Sequence, residues 1–171
     1  MMFVTAAAGI LAAAAVPQLT ATIERTRTLS AARYLAGRLA FARTQAVARS
    51  ANVALMLTPG GDTSTLAVYI DGNGNGVRVR EAGDVDQVLS APVRFDTMFP
   101  HVAVSTHDPA DPPAAETTTL MSFTPLGTAS SGTLYLRGRD GSEYAVRVLG
   151  ATGRTRVLRY EAITRTWVEV L

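Results

Sequence analysis

The sequence predicts an α+β chain in which one long N-terminal helix, apolar at its start, carries an antiparallel β head. Three observations predict it. Met1–Val16 contains no charge and, apart from Thr5, no polar side chain. From Gln18 to Ser50 there is no proline and no glycine except Gly37, and apolar residues return at steps of three and four. After Asn52 the texture changes to short β-type runs broken by Gly, Pro, Asn and Asp.

The apolar run of sixteen residues, closed by Pro17, is just short of the roughly 17–25 residues that a membrane-spanning helix needs. The chain starts inside this run, and helical patterning continues past Pro17 without a break. The expectation is therefore a retained membrane anchor that becomes a stalk. The competing reading is an exported β protein whose signal peptide is cut near Ala13-x-Ala15. Pro17 removes one backbone donor and is expected to bend the helix between its two halves. Over Gln18–Ser50, about 50 Å long at 1.5 Å per residue, Leu29, Ala32, Leu35, Leu39, Ala42 and Ala46 fall on one face. Arg27, Arg38, Arg43 and Arg49 fall off that stripe.

Nine β runs are expected beyond the helix: Val53–Thr58, Leu66–Asp71, Val88–Phe95, Val102–Ser105, Thr118–Phe123, Thr133–Arg137, Glu143–Leu149, Thr155–Ile163 and Trp167–Val170. Arg139-Asp140-Gly141-Ser142 sits between two alternating runs, a strong hairpin signal. Leu134 and Leu136, and Tyr144, Val146 and Val148, alternate with polar residues as half-buried antiparallel strands do. His107–Ala115 reads as an exposed loop. The division expected is a helical unit, residues 1–52, and a β-rich head, residues 53–171.

Composition removes several chemistries. The chain has no cysteine, so it has no disulfide framework, thiolate metal site or cysteine nucleophile. All sixteen basic residues are arginine, which removes the P-loop lysine and the Schiff-base lysine. Charge is divided into blocks: residues 1–52 carry +5, 53–131 carry −6 and 132–171 carry +3. Such asymmetry points to separate partners for separate regions.

Gly9-Ile10-Leu11-Ala12-Ala13-Ala14-Ala15-Val16-Pro17, in this outline, resembles the start of the type IV pilin-like proteins. Phe123-Thr124-Pro125-Leu126-Gly127, Gly132-Thr133-Leu134-Tyr135-Leu136 and Gly153-Arg154-Thr155-Arg156 look like the C-terminal signature of the GspH/FimT group of minor pseudopilins and minor pilins. The resemblance implies a pilin-like fold, a kinked hydrophobic helix packed on a β-sandwich-like head. It implies a structural subunit and not an enzyme, held in the bacterial inner membrane with its head in the periplasm. Such subunits assemble with other pilins through their N-terminal helices, for type II secretion or a related type IV pilus. Gly9, Ile10, Leu11, Val16 and Pro17 are the anchor and assembly residues on this reading. The family's basic leader, its cleavage site and its glutamate at the fifth mature position would fall immediately before Met1.

Three stretches carry residue types that could support chemistry. His101 and His107 form no His-x-x-x-His or Glu-x-x-His pattern and read as surface histidines. Asp71-Gly72-Asn73-Gly74-Asn75-Gly76 has the alternating oxygens of half a calcium loop. Its twelfth position, however, is Ala82 where a bidentate Glu is needed, so a Gly/Asn turn is expected and no metal. Gly153, Arg154 and Arg156 are candidate DNA-binding residues, since alternate residues of a strand share a face about 6–7 Å apart. The resemblance implies DNA capture for uptake in the FimT branch, and a mere hairpin edge in the GspH branch. Only Tyr160 interleaves these arginines, which leaves a stacking platform poorly supported. No cofactor and no small-molecule substrate are expected.

Overall fold

The computed structural model describes residues 2–60, 63–106, 108 and 119–170, with side chains in the first helix described at Thr20 and from Thr22 onward. Helix α1 spans Met2–Arg49 and runs through Pro17. It stops in a Schellman turn. Ser50 takes a left-handed φ of 51°, while Ala51 N donates to Ala46 O and Ser50 N to Val47 O.

The strands are β1 (Val53–Gly60), β2 (Thr63–Ile70), β3 (Gln87–Arg94), β4 (Val102–Ser105), β5 (Thr119–Phe123), β6 (Gly132–Gly138), β7 (Glu143–Leu149), β8 (Arg154–Glu161) and β9 (Thr166–Glu169). They form two antiparallel sheets, ordered β3-β2-β1-β5 and β4-β6-β7-β8-β9. Every expected run becomes a strand, with corrections at the ends: β1 runs on to Gly60, and Asp71 and Val170 fall just outside β2 and β9. Phe95 leaves β3 to open a one-turn helix, α2 (Phe95–Met98), because its ring is buried in the core. The eighth run stops at Glu161, and Ile163 lies in the following turn, 99% exposed. The expected loop at 107–115 lies, except for Asp108, outside the described residues.

The α1 stripe packs against both sheets. Ala32, Leu35, Leu39, Ala42 and Ala46 have no solvent exposure, and Leu29 is half-buried against the same core. That core also takes Val53, Leu55 and Phe123 from the first sheet and Leu134, Tyr144 and Val146 from the second. Period-two alternation explains the second sheet: Leu134, Val146 and Val157 stand opposite one another in register and face α1. Thr28 is a polar residue inside this contact. Its hydroxyl is satisfied by Glu24 O at 3.0 Å. It meets the sheet at Gly138, where any Cβ would collide with the Thr28 hydroxyl.

The outer face of the first sheet is covered by the chain between β2 and β3. Val77 is buried there against Ala54, Ala67 and Tyr69. The outer face of the second sheet carries a smaller cluster. Trp167 on β9 lies 5.2 Å from Tyr160 and 5.6 Å from Tyr135. Ala145, paired opposite Tyr135, is fully buried, its small side chain leaving room for the two rings to meet above it.

Candidate functional site

The arginine motif begins at a joint. Gly153 ends the turn after β7, with a left-handed φ of 60° and its N–H donated to Leu149 O at 2.7 Å. A Cβ there would collide with Gly127 O and lie 2.9 Å from Arg43 Nε. Gly127 belongs to a tight turn in which Thr124 N donates to Thr128 O and Gly127 N to Thr124 O, both at 2.9 Å. Its carbonyl accepts from Arg43 Nε at 3.1 Å. Residues 43, 127 and 153, far apart in sequence, thus meet where α1 crosses two turns of the head.

The two motif arginines have different environments. Both alternate onto the outer face of β8, opposite Leu149 and Arg147. Arg156 faces a like charge directly across the ladder, an unfavourable arrangement. It is tied to Glu169 at 3.1 Å, while its Nε is buried without a partner. The side chain of Arg154 is exposed and has no hydrogen bond or ion pair among the described residues. Arg154 borders a groove of about 490 Å³ between β8 and α1, which it shares with Arg33 and Arg43. A second cleft of about 500 Å³, near the β6–β7 and β8–β9 turns, mixes Arg25 and Arg159 with Asp140, Glu143 and Glu161. Its charges largely cancel within the cleft. The aromatic group near the motif is larger than sequence showed, because Trp167 and Tyr135 join Tyr160 only through strand pairing.

The Gly/Asn-rich stretch after β2 is a nest of backbone amides around Asp71. Gly74 N and Gly76 N donate to its carboxylate at 2.7 Å and Asn73 N at 3.1 Å, with Asn52 Nδ2 adding a fourth bond at 3.0 Å. Burial pushes the Asp71 carboxyl up, but the bonds from Asn52 and the three amides outweigh it and hold the pKa below its ordinary value. Asn73 and Asn75 turn their amides to Glu81. At the far end of the excursion Asp86, fully buried, accepts from Arg78 N at 2.8 Å and Gly72 N at 3.3 Å. The two aspartates pin both ends of the segment that covers the first sheet. Among the described residues no cluster of three His, Asp or Glu side chains is placed to hold a metal ion. His101 is exposed, with φ 66°, in the turn before β4. His107 lies outside the described residues.

Gly9, Ile10, Leu11, Val16 and Pro17 lie within α1, but their side chains are outside the described residues. Among the described residues no helix is long and apolar enough to cross a membrane. Thr20, Thr22, Arg25 and Thr26 are exposed, and Ile23 is 56% exposed. Among the described side chains of α1, full burial begins at Thr28, and Arg27, half-buried, already donates to Pro100 O at 3.5 Å.

Residues 31–153 match the family model described as Type II transport protein GspH. No curated protein matches. Among solved structures, the chain is similar to the type IV minor pilin FimU of Pseudomonas aeruginosa. The two are 21% identical, with a TM-score of 0.48 over 77% of this chain and 88% of that one.

Proposed function

As the chain belongs to the GspH family, its model matching well over half of the sequence, we propose that it is a minor pseudopilin, a structural subunit of a type II secretion pseudopilus or related type IV pilus. Residues 1–16 anchor it in the bacterial inner membrane. Residues 53–171 form the periplasmic head, and α1 joins it to other pilins in the filament. The observation that carries this reading is the mismatch between helix and head. Helix α1 runs from Met2 to Arg49, yet its described residues are buried only from Thr28 onward, with Ile23 left exposed. Helix residues left exposed ahead of the core are available to another partner.

A second reading, DNA capture for uptake, is favoured by Arg154, whose exposed side chain has no hydrogen bond or ion pair among the described residues. Against it, Arg156 is already neutralised by Glu169. Deleting the gene in its own bacterium separates the two. The structural reading predicts loss of protein secretion or of surface filaments, restored by the intact chain. Loss of DNA uptake with secretion and filaments unchanged would replace it with the second reading.

A further inference from the structure

The stretch 71–76 places a glycine directly after each of Asp71, Asn73 and Asn75. Such a side-chain carbonyl is open to attack from its own backbone, because glycine has no Cβ to shield the nitrogen that follows. In an Asn-Gly pair the glycine nitrogen gives up its proton and bonds to the asparagine Cγ. The Cγ–Nδ2 bond breaks, ammonia leaves with a proton in exchange, and a five-membered succinimide remains. Water then opens the ring to aspartate or isoaspartate. Asn73-Gly74 and Asn75-Gly76 are the Asn-Gly pairs of this chain. Asn73, Gly74 and Asn75 are exposed, and a Cβ at Gly74 or Gly76 would meet nothing within 4 Å among the described residues. Solvent reaches both pairs.

The fold nonetheless engages the atoms that this reaction has to move. Gly74 N donates to Asp71 Oδ1 and Gly76 N to Asp71 Oδ2, both at 2.7 Å. One carboxylate thus holds the two attacking nitrogens, one on each oxygen. A negative charge so close disfavours the deprotonated nitrogen, which is itself an anion. The leaving amides are held from the other side, Asn73 Nδ2 donating to Glu81 Oε2 at 2.9 Å and Asn75 Nδ2 at 3.1 Å. Asn73 Oδ1 also accepts from Asn75 N at 3.1 Å, which fixes both ends of that amide. Turning Cγ onto the glycine nitrogen breaks these bonds. The Asp71-Gly72 pair follows the same plan, with Gly72 N bonded to Asp86 Oδ1 at 3.3 Å.

We infer that Asn73 and Asn75 are latent deamidation sites, held unreacted in the folded head by Asp71 at the attacking nitrogens and by Glu81 at the leaving amides. Opening the nest starts an irreversible conversion. Each conversion replaces a donor to Glu81 with a negative charge that faces it, and isoaspartate lengthens the backbone besides. Both changes fall close in sequence to Val77, which is buried against Ala54, Ala67 and Tyr69. Deamidation therefore loosens the cover of the first sheet. The chemistry needs water and no partner, so it stands independently of the filament reading.

The test incubates the detergent-solubilised full chain in mildly alkaline buffer. Peptide mass spectrometry reads the fraction of Asn73 and Asn75 converted to aspartate or isoaspartate over time. The chain unfolded in guanidinium chloride gives the unprotected rate. The folded wild type should convert at both sites about tenfold or more slowly, the factor that a charge-assisted hydrogen bond provides. Asp71→Ala should recover most of that factor at both sites while Trp167 fluorescence stays native. Glu81→Ala should raise both rates about two- to tenfold. Gly141→Ala strains a turn elsewhere in the head, at φ 79°, and should leave both rates at the wild-type value. Equal rates for folded and unfolded wild type would overturn the inference, as would folded Asp71→Ala and Glu81→Ala variants no faster than wild type. An Asp71→Ala variant slower than wild type would overturn it too, by making that carboxylate the base that removes the proton. Equal acceleration by Gly141→Ala would assign the effect to general loosening and also overturn it. If Asp71→Ala does not fold, Glu81→Ala decides alone.

Discussion

Replacing Gly153 with alanine tests whether the first residue of the arginine motif is there to let the head seat on α1. Three costs add at this position. A left-handed φ disfavours any L side chain by about 1–2 kcal/mol, and Gly153 sits at φ 60°. The new methyl would collide with Gly127 O and come within 2.9 Å of Arg43 Nε, and relief of such overpacking costs about 1–3 kcal/mol. The movement that relieves it breaks the Arg43–Gly127 bond of 3.1 Å, a charged hydrogen bond of about 1.5–3 kcal/mol. These terms overlap, so a loss of about 3–5 kcal/mol is expected. Gly141→Ala is the control, because it has φ 79° but open space around its Cβ position, leaving only the first cost. The assay is urea unfolding of the detergent-solubilised chain followed by Trp167 fluorescence. Equal losses for the two variants would refute the close-contact argument and reduce Gly153 to an ordinary turn residue.

Leu39→Ala should cost about 2–5 kcal/mol in the same assay, since Leu39 is fully buried between α1 and the head; a loss below 1 kcal/mol would mean that the helix is not seated there. Asp71→Asn should destabilise by about 1–3 kcal/mol near neutral pH, because amides bound by the carboxylate lose a charged acceptor. Its folded pKa is depressed from the ordinary 3.8, so this stabilisation is present above about pH 4 and is lost as pH falls through the folded value. The gap between wild type and variant should therefore close in acid, and a gap that is constant with pH would contradict the amide-nest account. Calorimetric titration with calcium should give no saturable binding at micromolar calcium; binding abolished by Asp71→Ala would overturn the structural-turn reading. If the arginine motif binds DNA, gel retardation should be sequence-independent, with a salt slope that falls by nearly one per arginine removed. Retention that is equal for wild type and Arg154→Gln/Arg156→Gln would remove the motif from that role.

Local signals in this chain were legible where one element decides them. The α1 stripe from Leu29 to Ala46 is read from spacing alone and is the face buried against the head. The strand pairs joined by Asp140-Gly141 and by the Gly150–Gly153 turn follow from their turn chemistry. Tertiary contact hid the rest. Asp86 is a charge in a loop-like stretch, and only the fold shows it fully buried under the amides of residues 72 and 78. Trp167 reaches Tyr135 across two intervening strands, which no sequence spacing reports. Phe95 extends an apolar run, but the core turns it into the start of α2. Within the motif, sequence makes Arg154 and Arg156 equivalent. Glu169, thirteen residues beyond Arg156, neutralises one, while the other stays exposed at the start of β8.

The central claim is that α1 stays on the protein and holds it at a membrane for assembly. Fractionation of the native protein, with N-terminal sequencing of the recovered form, tests it most directly. The account predicts recovery in the membrane fraction with the Gly9–Pro17 stretch still attached. Ala12→Asp should shift much of it out of that fraction, since an acid in mid-membrane costs about 2.5–3.5 kcal/mol. A soluble form whose first residue lies near Val16 would contradict the account and return the chain to the class of exported β proteins cut near Ala13-x-Ala15.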